Sequence, residues 1–231
     1  MGYQLRNQPA EVLACAARAT EHWRNSAPSI RANAIHLRGL GHKLNKDYPA
    51  AIAAYREALE IDRATSRESV YVAVDLESLA EVERENKDYT AAERDYREAL
   101  RIAKINKNDE HIANYTGNLA ELALDREQWA EAESFAREAL ALAEKVGRQE
   151  LIANDCHLIA QALLKQNPAH VGATRPVQES TLSDREGSPL QEALTLSRRA
   201  VEIFTRLRNP EWLKEAQETL AEIEKARMKD E

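Results

Sequence analysis

The chain has 231 residues, of which 31% are charged and 5% aromatic, with seven Gly and seven Pro. That is near the upper size of one ordinary domain, and Ala, Leu, Glu, Arg and Lys, the best helix formers, dominate it. Clusters of β-branched residues are scarce, so strands are not expected. A formal charge of −7 argues against a nucleic-acid backbone as main partner. No apolar run is long enough to span a membrane, and no secretory leader is read, so cytoplasm is the expected location. Cys15 and Cys156 lack CxxC spacing and read as two small buried thiols rather than a disulfide or zinc pair.

In chain order, residues 9–25 read as a lone helix opening near Pro9, the second half of a broken repeat. Four helix pairs follow, over residues 29–65, 67–106, 108–147 and 149–207. A last helix over 210–228 carries an apolar stripe (Trp212, Leu213, Leu220) and a Glu/Lys-rich opposite face, as a terminal cap requires. The pairs are written in a repeated phrase: YREALEI at 55–61, YREALRI at 96–102 and REALAL at 137–142. Aligned on it, Ala58, Ala99 and Ala139 fall in one column, and Ala51, Ala92 and Ala132 in another. Gly39, Ala80, Ala120 and Ala160 form a third, and Ala32, Ala73, Ala113 and Ala153 a fourth. Tyr48, Tyr89 and Trp129 form an aromatic column. Small residues every seven positions mark where two helices cross closely, and large ones fill the spaces between pairs. One pair cannot bury its stripe alone; stacking the next pair does, hence the repetition.

Asn86-Lys87-Asp88 should turn a first helix, about 68–85, into a second, about 89–104. The fourth pair breaks the period. The step from Ala139 to Ala200 is 61 residues where 40 is expected, so an insertion occupies about 167–187. Its Pro, Gly and polar content suggests a disordered loop or a docking segment.

These columns, with the NKDY turns at 45–48 and 86–89 and REQW at 126–129, resemble tetratricopeptide repeats. The likeness is to the longer variant of about 40–42 residues, as in kinesin light chains and the sensor arrays of bacterial signalling ATPases. It covers residues 29–166 closely and 188–228 less closely. It implies an all-α superhelix as a single domain of about four pairs flanked by single helices. It also implies that the first helix of each pair lines a concave surface. One departure is Arg38, which stands where Leu79, Leu119 and Ile159 stand in later pairs.

On that implied surface, residues three and four apart share a face. They are Asn33, His36, Leu37 and Leu40 in the first pair, and Val74, Glu77, Ser78, Glu81 and Glu85 in the second. Asn114, Gly117, Asn118, Glu121 and Asp125 belong to the third; Asn154, His157, Leu158, Gln161 and Lys165 to the fourth. Amides both donate and accept, so the Asn residues suit the backbone of an extended peptide, or alternatively bond to neighbouring helices. Asn118 matches the position that in many related repeats holds a ligand's main chain. The carboxylates predict an acidic groove favouring a basic or polar protein or peptide. The Lys and Arg that would grip a C-terminal carboxylate are absent from these places.

No sequence pattern points to catalysis, a cofactor or a metal. Neighbours Cys156 and His157 point about 100° apart on a helix, which rules against a nucleophile–base couple. No phosphate-binding or H-E-x-x-H motif appears. The function expected is therefore a non-catalytic adaptor or scaffold. The alternatives are the regulatory array of a larger signalling ATPase, suggested by the broken repeat at 9–25, and a self-assembling solenoid. Oligomeric state stays open.

Overall fold

The computed structural model describes residues 9–167 and 188–230. Ten helices and no strand are found among them. These are α1 (Pro9–His22), α2 (Pro28–Leu44), α3 (Tyr48–Thr65), α4 (Val70–Glu85), α5 (Tyr89–Ile105), α6 (Asp109–Asp125), α7 (Trp129–Val146), α8 (Gln149–Gln166), α9 (Pro189–Leu207) and α10 (Pro210–Asp230). The all-α expectation holds. Of the insertion expected at 167–187, residues 168–187 lie outside the described residues.

The chain divides into two compact units at Asn108/Asp109. In the first, α1 packs on α2, α2 on α3, α3 on α4 and α4 on α5. In the second, α6 to α10 pack each on the next, and α8 also meets α6 and α10. Connections of two to five residues leave only antiparallel packing between most neighbours.

Local sequence sets the boundaries. Asp47, Asp88 and Ser69 cap α3, α5 and α4, their side chains accepting from the N–H of Ala50, Ala91 and Val72; each cap is worth roughly 1 kcal/mol. The Ser69 cap places the start of α4 two residues after the expected one. Helix α1 ends at His22, short of the expected 25. Lys46, Lys87 and Glu127 adopt positive φ of 57°, 64° and 59°. They occupy one place in successive repeats, where the helix reverses and the following N–H reaches back, as from Asp88 to the Glu83 carbonyl at 2.8 Å. The sequence reading placed these turns correctly, but non-Gly residues there gave no sign of the positive φ.

The small-residue columns all lie inside. Ala51, Ala92, Ala132, Ala58, Ala99 and Ala139 have no exposed surface, and Gly39, Ala80, Ala120 and Ala160 are likewise buried. Tyr55 and Tyr96, each 1% exposed, fill the intervening spaces. The aromatic column of Tyr48, Tyr89 and Trp129 is only half-buried. In the second unit, Leu158, Ile159, Leu163, Leu190, Leu194 and Ile223 join Ala120, Ala136 and Ala160 in one cluster. Cys156 and Phe204 belong to another. Cys15, expected inside, is exposed on α1, while Cys156 is buried; among the described residues α1 packs chiefly on α2.

Gly39 shows how close these crossings are. A β-carbon there would sit 2.8 Å from the ring of Tyr55, which has no free space to retreat into. Gly39→Ala gains about 1 kcal/mol in helix propensity but overpacks the core, at about 1–3 kcal/mol. A net loss of about 1 kcal/mol is expected in urea unfolding; a raised midpoint would show that the Tyr55 ring yields.

Candidate ligand-binding face

The first helices of the pairs are α2 and α4 in one unit and α6 and α8 in the other. In the first unit, Asn33 is exposed and His36 half-buried. His36 Nδ1 lies 2.7 Å from Oδ1 of Asp75, a carboxylate 3% exposed. Its ring meets Tyr55 edge-on, with centroids 4.9 Å apart and planes at 64°. Glu77 and Glu81 are half-buried, whereas Ser78 is buried and its hydroxyl donates to Glu77 at 3.5 Å.

The acidic stripe of α4 is partly neutralised from within. The Lys43 ammonium rests against Glu81 and lies 3.6 Å from Glu85. The Tyr48 hydroxyl is also bonded to Glu85; burial and that carboxylate push its pKa up. Burial raises the Tyr55 phenol further, helped by Glu81, Glu77, Asp75 and Glu85. Four carboxylates therefore stand around one phenol. Asp62 on α3 is 4% exposed and raised to about 6, by burial first and then by Asp75.

In the second unit, Asn114, Asn118, Glu121, Asn154 and Gln161 are all half-buried on α6 and α8. Asn154 Nδ2 donates to Glu121 Oε1 at 3.0 Å, so here a helix-to-helix bond uses an amide the sequence reading offered to a peptide. His157 is corrected from a groove residue to an interior one. It is 6% exposed, its Nδ1 has no partner, and burial lowers its pKa to about 4. Leu158 and Gly117 are also buried. A β-carbon on Gly117 would meet Asp155 Oδ1 at 2.9 Å. Asp155 is 2% exposed and raised to about 8, by burial and then by Glu121; its Oδ2 has no partner.

Two residues of this surface escaped the sequence reading. Lys43 follows His36 by seven positions and Leu40 by three, so helical spacing alone puts it on the same stripe. Asp75 carried no such signal, because an acid at a core position breaks the amphipathic pattern.

Burial raises the Cys156 thiol to about 11, against the opposing pull of Arg199, which leaves it protonated and unreactive at neutral pH. Among the described residues no three His, Cys, Asp or Glu side chains gather as a metal site, and no helix is long and apolar enough to cross a membrane.

What remains is a set of stacked, alanine-spaced helix hairpins that present one polar face per unit. Residues 66–167 match the family model of the tetratricopeptide repeat, and the helix hairpins have the fold of such repeats. No curated protein sequence matches it. Among solved structures, it resembles a Podosopora anserina protein of the kinesin-light-chain type with nearly identical repeats. The identity is 19% and the TM-score 0.65, over 88% of this chain and 89% of that one. It is also similar to BtubC (BKLC) of P. vanneervenii, at 15% identity and TM-score 0.59 over 95% and 91% of the two chains. Apo RapI is 17% identical, with TM-score 0.64, over 98% of this chain and 80% of that one. At such identities the likeness is one of fold.

Proposed function

We propose that this chain is a non-catalytic adaptor that holds a protein or peptide segment of basic or polar character. Each unit offers its own contacts: Asn33, His36, Glu77 and Glu81 in the first, and Asn114, Asn118, Glu121 and Gln161 in the second. Repeats of this family serve as protein-interaction modules, which supports the class. The observation that carries the face is the state of Asn114 and Gln161. Both are half-buried on the first helices of their pairs, and neither amide meets a partner within the described chain. A part-desolvated amide without a partner gains most from the main chain of a bound segment. Ser78 and His157 are too buried to take part, and Asn154 contributes only through Glu121.

The test is selection of 12-residue peptides from a displayed random library on the wild-type chain. Binding of the winners is then measured by fluorescence anisotropy. Asn118→Ala and Glu121→Lys should each weaken binding about tenfold or more, and the selected peptides should be enriched in Lys or Arg. Winners that bind both variants as well as wild type would overturn the assignment.

A further inference from the structure

We infer that His36 is the fixed hydrogen-bond acceptor of the first unit's face, its ring locked by the buried Asp75 so that Nε2 is turned to a donor group of the bound segment. This rests on the proposed function above and narrows the chemistry of the partner. A carboxylate 2.7 Å from Nδ1 can only be satisfied by a proton on that nitrogen. In neutral imidazole the lone pair is then left on Nε2. His36 is half-buried, bonded to Asp75 and in edge-on contact with Tyr55, with Asp62 close enough to feel its charge. The His36 side chain is 27% exposed and its Nδ1 is taken up by Asp75, which leaves Nε2 as the ring nitrogen able to meet a bound group.

Two elements hold the ring. Asp75 comes from α4, and the Tyr55 ring braces it edge-on from α3. Asp62, also on α3, faces Asp75 from the other side. This matches the way a buried carboxylate fixes the tautomer of a working imidazole elsewhere.

The surroundings say which ligand atom fits. Two cations of α2 are already held: Arg38 donates to Glu57 at 2.5 Å, and Lys43 is held by Glu81 and Glu85. The Lys43 ammonium is thus consumed internally, while the charged groups nearest His36, Asp75 and Asp62, are carboxyls. The complementary ligand is a donor, such as a backbone N–H, an ammonium or a guanidinium, and not a carboxylate or phosphate.

Long-range ¹H–¹⁵N correlation on ¹⁵N-labelled protein at pH 7.5 reads the tautomer without any ligand. His36, assigned by loss of its signals in His36→Gln, should show a protonated Nδ1 and a pyridine-type Nε2. Free histidine prefers the other tautomer, and Asp75→Asn should relax His36 toward it. A protonated Nε2 in the wild type would overturn the inference. The ligand half uses a peptide selected on the wild-type chain. His36→Phe keeps the ring stacking but removes the acceptor, and should weaken binding at least tenfold. His36→Gln restores an acceptor and should recover most of the loss. A selected peptide that ignores His36→Phe while responding to Asn118→Ala overturns this inference alone. Failure to select any peptide overturns the adaptor reading itself, while the tautomer result still decides whether the imidazole is locked.

Discussion

Replacing Tyr55 by alanine should remove about 3–5 kcal/mol of stability, the range for deleting a buried aromatic ring. The ring is 1% exposed, lies over Gly39 and braces His36. Its removal opens a cavity that a backbone already in close contact cannot collapse to fill. It also leaves Glu77, Glu81 and Glu85 facing one another without the phenol between them. Urea unfolding measures the effect, with Tyr71→Ala as control, since Tyr71 is 54% exposed and should change stability by roughly 0.5 kcal/mol or less. A loss below about 1 kcal/mol at Tyr55 would mean that the repeats do not depend on their large residues.

The second large effect is on pH. Asp155 is raised to about 8 in the folded chain, against an ordinary carboxyl near 3.8. Its folded form binds a proton more tightly than its unfolded form, so stability falls as pH rises between those two values. From pH 6.5 to 8 the loss is about 2 kcal/mol from this group, at about 1.4 kcal/mol per unit. Burial, with Asp95 nearby, also raises Glu83, despite Arg56 donating to it at 2.9 Å, and adds in the same direction. Asp62, raised to about 6, acts mainly below this window. His157 has the opposite sign. Kept neutral inside, with its pKa lowered to about 4, it destabilises as pH drops below about 6.5. The chain should therefore be most stable in mildly acidic solution and weaken toward pH 8.5. Asp155→Asn should remove most of that slope. Denaturant midpoints at pH 6.5, 7.5 and 8.5 test this, and a flat wild-type profile would show that Asp155 finds a partner or water.

Much of the fold was legible in the chain itself. Period, pair boundaries and the small-residue columns follow from where Ala and Gly recur, because a close helix crossing admits nothing larger. Every residue of those columns lies inside, from Ala32 to Ala160. The aromatic column was read less well. Tyr48 and Trp129 open their helices and keep one side in water, whereas Tyr55 and Tyr96 sit mid-helix and are enclosed.

The face was only half legible. Helical spacing placed Asn114, Asn118, Glu121 and Gln161 on shared stripes, and the structure keeps them part-exposed. Spacing could not tell that Asn154 would spend its amide on Glu121, that Lys43 would fold onto Glu81, or that His157 would be enclosed. Periodicity within one helix fixes the direction of a side chain but says nothing of how near the next helix stands. The sequence by itself determined that helices pair and where they cross, since those are matters of local propensity and side-chain volume. The tertiary structure alone decided which polar groups find partners, because donors and acceptors 27 to 39 residues apart, such as Arg56 with Glu83 and His36 with Asp75, meet only once the hairpins have stacked.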